Sequence, residues 1–294
     1  MKVETVCQNF RSLHAAKLSS LRAGGMLKNI ACPSSVAELK ELSKYIEAEN
    51  IDYFVMGGLS NILVLDGGYD GIVISTNKLK GMNIQDSRLS CGSGEKLSKI
   101  IDSCQKRGLS GLEKLYGIPG TVGGAICMNS GCFDSEISSV VKKVYLFDMT
   151  NHELIEKTAE KMRFGYRKSL VQEGSYVIIG AVFDMKEKYL YDIKNTMNSV
   201  VGLRKSAQPS LPSLGSVFKK VDNISAAIFI EGTGLKGQKI NNMQISNAHC
   251  NFIVNTGGGR ADDYLRLVEL MEKRVYEKYG IRLVREVRVE GKRA

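Results

Sequence analysis

Apolar residues recur along this chain at two spacings, and the changes from one spacing to the other predict an alternation of helix and strand. Val36, Leu39, Leu42 and Ile46 lie at three- and four-residue steps, so a helix is expected from a capping box of Ser35 and Glu38 to about Asn50. The short apolar runs "YFVM", "ILVL" and "IVIS" follow, separated by "GGLSN" and "DGGYDG", and read as strands closed by turns. A second region opens near Gly81. Its helix, Glu95 to Arg107, aligns Leu97, Ile100, Ile101 and Cys104, and Gly108 stands where a C-terminal closing residue is expected. "VVKKVYLFDM" and "SYVIIGAVFDM" read as strands connected by "MRFGYRKS". A helix from Tyr191 to Lys205 is expected to stop before Pro209 and Pro212. The last helix, Asp262 to Tyr279, carries Tyr264, Leu267, Val268, Met271 and Val275 on one stripe, with Gly280 after it and "IRLVREVRV" beyond as a strand. These elements divide the chain into regions at 1–78, 79–190 and 191–294, and the fold class is α+β.

Composition narrows the class. A chain of 294 residues with 43% apolar content can bury a sizeable core in more than one domain. Met1 to Gly25 lacks the apolar stretch of a signal segment, and the longest apolar run, Tyr176 to Phe183, is far below the roughly 20 residues that span a bilayer. Cys7, Cys32, Cys91, Cys104, Cys127, Cys132 and Cys250 are odd in number and form no CxxC, the usage expected of reduced thiols in a cytoplasm. The net charge of +10 is spread among acidic residues, as in "ELSKYIEAEN", and reads as a solvated surface or as a field that concentrates anionic small ligands. Nucleic-acid binding would favour clustered basic residues with aromatic interleaving, so it is not expected.

Candidate chemistry begins with glycine. "GGLSN" at Gly57 to Asn61 and "GIPGTVGGAICMNSG" at Gly117 to Gly131 exclude side chains over two short stretches. Neither has the spacing of a phosphate-binding P-loop or of a strand-GxGxxG-helix dinucleotide motif. Taken alone they read as two tight turns, or as successive backbone N–H groups shaped to hold an anion. His14, His152 and His249 are too scattered to hold a metal. His249 beside Cys250 suggests a nucleophile and base, but in the strand expected there the two would point to opposite faces.

The order of the motifs changes this reading. "LRAGG", "GGLSN", "GIPGTVGG", "FGYRKS", "LGSVFKK", "GLKG", "HCNFIVN" and "REVRVEG" run through nearly the whole chain. In this order they resemble the UDP-N-acetylenolpyruvoylglucosamine reductase family (UDP-N-acetylmuramate dehydrogenase), in the shorter form without an extra tyrosine-bearing loop. The resemblance implies an FAD-binding fold of the PCMH/vanillyl-alcohol-oxidase type in two subdomains, followed by a C-terminal α+β substrate-binding domain. It also implies NADPH-dependent reduction of UDP-N-acetylglucosamine-enolpyruvate to UDP-N-acetylmuramate in peptidoglycan synthesis, by hydride transfer from reduced FAD to C3 and protonation at C2. A cytoplasmic monomer is expected, with the UDP-sugar and NADPH as partners and neither nucleic acid nor membrane.

By the same resemblance Gly57, Gly58, Leu59, Ser60, Asn61, Gly117, Pro119, Gly120, Thr121, Gly123 and Gly124 match the FAD-cradling loops. Arg167 matches an arginine that holds the substrate carboxylate, Ser216 the proton donor and Glu286 an active-site glutamate. Tyr166 and Lys219 fall on the substrate side. Read without the resemblance, Arg167 is a loop arginine, Ser216 a turn hydroxyl and Glu286 a solvent-facing strand residue, since alternation puts Leu283, Arg285, Val287 and Val289 on the other side. Two positions depart from the pattern. Leu59 replaces the third glycine of GGGSN, so strain is expected if that position needs positive φ. Ile228 stands where relatives carry a lysine or arginine, leaving Lys219, Lys220 or Arg204 to supply the charge. These departures keep two other readings in view: a non-catalytic FAD or UDP-sugar binding protein, and a flavin oxidase of the same fold.

Overall fold

The computed structural model describes residues 10–294, so Cys7 lies outside the described residues. The chain forms two compact units, each built from segments distant in sequence. Of the described residues, the first takes 10–11, Asn29–Gly58 and Gly71–Leu203; the second takes Ser12–Lys28, Leu59–Asp70 and Arg204–Ala294.

In the first unit, strands Tyr53–Met56 and Tyr69–Ser75 pair in parallel, with Tyr53 opposite Ile72 and Met56 opposite Ser75. Helix Val36–Ala48 buries Leu39, Leu42 and Ile46 in a core with Ile72 and Ile74. Ser35 caps this helix by accepting from Glu38 N–H at 3.2 Å, as the capping box predicts. The return arm differs, because the Glu38 carboxylate takes the Ser34 N–H at 2.8 Å.

A five-stranded antiparallel sheet follows, in the spatial order Glu153–Thr158, Val141–Asp148, Tyr176–Asp184, Arg88–Gly92 and Met82–Gln85. Its central strand separates two cores. Val177 packs with Phe147 and the Leu39–Leu42 helix face, whereas Ile178, Ala181 and Phe183 pack with Leu97, Ile100, Ile101 and Cys104 of helix Leu97–Gln105. Burial on both faces is why this segment reads as a continuous apolar run. Gly108 adopts φ +69° after the helix, the left-handed closure expected of it. Strand Glu153–Thr158 lies inside what reads as a plain connection between two strands. It is a charged edge strand whose pattern is mostly exposed, so hydrophobic alternation does not announce it.

In the second unit, a four-stranded antiparallel sheet runs in the order Ser213–Ser216, Phe252–Asn255, Met243–Ile245 and Lys239–Ile240. Helices Ala226–Gly232 and Ala261–Tyr279 pack against it through Ile230, Leu267, Val268, Met271 and Val275. The distant segments join the same core through Leu21, Ala23, Leu63 and Leu65. Asp66 caps the long helix from 196 positions away, accepting from Ala261 N–H at 3.2 Å and Asp262 N–H at 2.9 Å, while Asp262 returns a bond to Asp66 N–H. Gly280 closes the other end at φ +68°.

Two expectations are corrected here. "IRLVREVRV" is a strand only at Arg288–Glu290, parallel to Ile62–Val64. Leu283 and Val287 are buried four residues apart and Val284 and Arg285 are exposed, so the expected alternation is broken. His249 and Cys250 lie in the turn before strand Phe252–Asn255 and not in a strand. The His249 ring packs edge-on against Phe252 at 5.0 Å, and burial lowers its pKa while raising that of Cys250. The pair is part of the packing.

Tyr264 is wholly buried among apolar residues, which pushes the phenol well above its ordinary pKa, and its hydroxyl has no hydrogen-bond partner among the described residues. An unmet buried hydroxyl costs about 1 to 3 kcal/mol. Tyr264→Phe is therefore expected to stabilise the second unit by about 1 kcal/mol, read as a higher thermal midpoint. A lower midpoint would mean that the hydroxyl has a partner.

Candidate functional site

The glycines after strand Tyr53–Met56 meet those before helix Val122–Cys127 backbone to backbone. A Cβ on Gly57 would sit 2.4 Å from Thr121 Oγ1, and one on Gly58 would sit 3.2 Å from Gly120 Cα. Thr121 Oγ1 is committed, because it caps the helix by accepting from Gly124 N–H at 3.4 Å. One turn further, a Cβ on Gly123 would lie 2.9 Å from Ser93 Cβ. Gly117 and Gly120 hold φ of +85° and +121°, conformations that side chains disfavour. The result is a surface of the first unit on which Gly58, Gly117, Pro119 and Gly124 are exposed as nearly bare main chain. Such a surface lets a flat or phosphorylated cofactor approach the backbone closely, so the residues present fit the flavin that the sequence leads one to expect.

Leu59, Ser60 and Asn61 belong to the second unit. Leu59 holds φ +47° with 2% exposure. The strain expected of a leucine there is present, at about 1 to 2 kcal/mol, and burial of its side chain offsets it by about 1.5 to 3 kcal/mol. Asn61 donates through Nδ2 to the Glu286 carbonyl at 3.1 Å, and its own carbonyl accepts from Arg288 N–H at 3.0 Å.

That bond leads to the other candidates of the second unit. Gly215, at φ +79°, sits in the irregular stretch of strand Ser213–Ser216, and Ser216 follows it opposite Phe252. Beyond Ser216, buried Asn251 stands in for a neighbouring strand. It donates to the Phe218 carbonyl at 2.8 Å and accepts from Phe218 N–H at 2.9 Å. On the opposite side Glu286 N–H donates to the Val217 carbonyl at 2.8 Å, and Lys219 N–H to the Val284 carbonyl at 2.9 Å. Ser216, Lys219, Glu286 and Asn61 are thus gathered on adjoining stretches of backbone. Arg285 is occupied elsewhere, in a bidentate pair with Glu272 at 2.6 and 2.7 Å that raises its pKa. Ile228 is 62% exposed on helix Ala226–Gly232, so the site where a cation is absent is a solvent-facing one.

Arg167 and Tyr166 belong to the first unit. Gly165 and Lys168 exchange backbone hydrogen bonds at 3.1 and 3.0 Å, and the tight loop between them presents both residues. Arg167 has φ +53°, an unfavourable conformation for a long side chain. Its guanidinium donates to the Gly131 carbonyl at 2.9 Å and lies 5.1 Å from the Tyr166 ring centroid. The side chains that brace this loop, Asn129, Ser169 and Gln172, carry no signal in periodicity or charge. Among the described residues no group of three or more His, Cys, Asp or Glu side chains could hold a metal ion, and no helix is long and apolar enough to cross a membrane.

Comparison with known proteins shows the family of the chain. Residues 27–155 match the family profile described as "FAD binding domain", and residues 207–290 match "UDP-N-acetylenolpyruvoylglucosamine reductase, C-terminal domain". The chain is 37% identical over 274 residues to UDP-N-acetylenolpyruvoylglucosamine reductase of Clostridioides difficile, covering 92% of this chain and 90% of that one. It is 38% identical over 278 residues to the enzyme of that name from Caldicellulosiruptor bescii, covering 94% and 88%. The crystal structure of UDP-N-acetylenolpyruvylglucosamine reductase from Thermus caldophilus superposes with a TM-score of 0.83 at 32% identity, covering 96% of this chain and 98% of that one.

Glycines 57 and 124 are expected to respond oppositely to alanine. Gly57→Ala displaces the Thr121 hydroxyl and with it the helix cap, costing about 1 kcal/mol. At Gly124 a Cβ meets Thr121 Oγ1 at an ordinary 3.6 Å within a helix, so Gly124→Ala gains about 0.4 to 1 kcal/mol. Thermal unfolding of the flavin-free variants checks both signs.

Proposed function

The chain belongs to the UDP-N-acetylenolpyruvoylglucosamine reductase family, and we propose how its own residues carry that reaction. The protein is an FAD-dependent, NADPH-consuming oxidoreductase that reduces UDP-N-acetylglucosamine-enolpyruvate in peptidoglycan precursor synthesis. The chemistry supplied by bound FAD is hydride exchange, from NADPH to the enolpyruvyl C3. The residues of the first unit that would hold it are Gly57, Gly58, Gly117, Pro119, Gly120, Thr121, Gly123 and Gly124.

As C3 gains a hydride, negative charge develops on C2 and the adjoining carboxylate. A planar, permanently charged guanidinium suits that carboxylate, and Arg167 is the group assigned to it. The strained loop that presents Arg167 and the ring of Tyr166 packed on its guanidinium support this role, because both limit the orientations of a flexible side chain. Tyr166, 43% exposed, then offers the rest of its ring to the substrate. Ser216 delivers the proton to C2, which completes reduction of the double bond. A serine hydroxyl is a weak acid, so it works here against a strongly basic carbanionic carbon with Glu286 to assist. Lys219, half-buried beside them, is the cation assigned to the phosphates of the UDP-sugar.

The observation that supports the pairing of Ser216 with Glu286 is the 2.8 Å bond from Glu286 N–H to the Val217 carbonyl. It brings the backbones of the carboxylate and the proton donor to neighbouring positions although 70 residues separate them in sequence.

Ser216→Ala is expected to leave reduction of the flavin by NADPH near the wild-type rate and to slow its reoxidation by the enolpyruvyl sugar about 100- to 10,000-fold. Anaerobic stopped-flow absorbance of the flavin measures the two half-reactions separately, and equal slowing of both would refute the role. Arg167→Lys keeps the charge and loses the planar fork, so reoxidation by substrate is expected to fall about a hundredfold. Full activity in the lysine variant would remove Arg167 from the carboxylate.

A further inference from the structure

Asn129 is fully buried and uses its whole side-chain amide. Nδ2 donates to Glu136 Oε2 at 2.8 Å and to the Gly165 carbonyl at 3.0 Å, and Oδ1 accepts from Ser138 N–H at 3.2 Å. Its backbone holds φ +41°, a left-handed conformation that asparagine tolerates better than most residues. Glycine would satisfy the backbone alone, so the side-chain bonds account for the amide.

Those bonds reach Arg167 from two directions. Gly165 opens the tight loop that carries the Arg167 backbone. Glu136 pairs with Gly131 across the small hairpin, and the Gly131 carbonyl is where the Arg167 guanidinium rests. One amide therefore joins the mount of the arginine to the rest of its side chain. Ser169 Oγ and Gln172 Nε2 add bonds to the Cys127 carbonyl at 2.7 and 2.9 Å, and Gln172 also bonds the Arg167 carbonyl at 3.3 Å. These secure the far end of the loop to the exit of helix Val122–Cys127. The opposite end of that six-residue helix begins at Thr121, in the glycine surface described above.

We propose that Asn129 is the positioning residue for Arg167: by tying the Gly165 carbonyl to the Glu136 carboxylate it holds the guanidinium at the place where the substrate carboxylate must bind. The proposal rests on the reading of Arg167 as the carboxylate-holding group. A displacement of about 1 Å at such a group can cost about a hundredfold in rate, whereas the reaction of NADPH with the flavin does not use the arginine.

Asn129→Gly tests it, because the left-handed backbone is retained while all three side-chain bonds are lost. Reoxidation of reduced flavin by the enolpyruvyl sugar is expected to fall 10- to 100-fold with a raised KM, and flavin content and reduction by NADPH to stay within twofold of wild type. In an Arg167→Ala background the same change is expected to alter reoxidation less than twofold, since no positioned guanidinium remains to be lost. Asn129→Asp is isosteric and keeps the acceptor for Ser138, so it gives the same comparison should glycine loosen the helix exit. Equal slowing of both half-reactions, wild-type reoxidation in both Asn129 variants, or a full additive loss in the Arg167→Ala background would overturn the proposal. If Arg167→Ala alone reoxidises at the wild-type rate, the carboxylate role itself fails, and this proposal with it.

Discussion

Close approach of two stretches of main chain is the constraint on which the first unit depends. A side chain on Gly57 would displace the Thr121 hydroxyl, and one on Gly58 would crowd the Gly120 backbone. Glycine carries an entropic cost when ordered, so a cluster of it persists where proximity is required. Here the contact also fixes Thr121, the hydroxyl of Thr121 fixes the start of helix Val122–Cys127, and the end of that helix delivers Asn129 and Gly131 to the arginine loop. A helix of six residues has little stability of its own, and burial of Val122, Ala125 and Ile126 in the core holds it between these two contacts. The glycine loop and the arginine loop are consequently anchored at opposite ends of one short helix.

Three of the non-glycine residues with positive φ lie in or beside the candidate loops: Leu59 in the second unit, Asn129 and Arg167 in the first. Each is held by a different means: burial of an apolar side chain for Leu59, a fully used amide for Asn129, and a guanidinium resting on a carbonyl for Arg167. Strain that is over-determined in this way marks positions where geometry matters more than local preference.

The second unit solves a related problem with polar side chains used as backbone. Asn251 makes with Phe218 the pair of hydrogen bonds that a neighbouring strand would make. Asp66 provides the long helix with the cap that its own N-terminal residue, Arg260, does not. Asn255 reaches the Leu21 carbonyl at 3.0 Å while its Oδ1 accepts from Gly257 and Gly259 N–H, so the early segment is tied to the C-terminal sheet. Of these, the Asn251 pair borders the irregular stretch that carries Ser216 and pairs with Glu286.

Helix Val36–Ala48, the stripe from Tyr264 to Val275, the closing glycines Gly108 and Gly280 and the two-sided strand Tyr176–Asp184 were all legible in the sequence, because each is set by local spacing or local sterics. The glycine loops were legible as backbone without side chains, and the order of motifs identified the family. Strand Glu153–Thr158 was not, since an edge strand needs few apolar residues and takes its hydrogen bonds from a neighbour. The false strand across Ile281–Arg285 arose because an apolar alternation looks the same whether its residues face a sheet or serve an irregular segment clamped by Arg285 and Glu272. Asn129, Asn251 and Asp66 were invisible for one reason: a polar side chain that satisfies a distant backbone group leaves no periodic trace. The sequence by itself determined the amphipathic helices, the buried strands, the glycine loops and the candidate residue types, all of which follow from short-range chemistry. Only the tertiary structure decided which carbonyl the arginine rests on, and which amide holds it there, because those bonds join residues that meet only when the chain has folded.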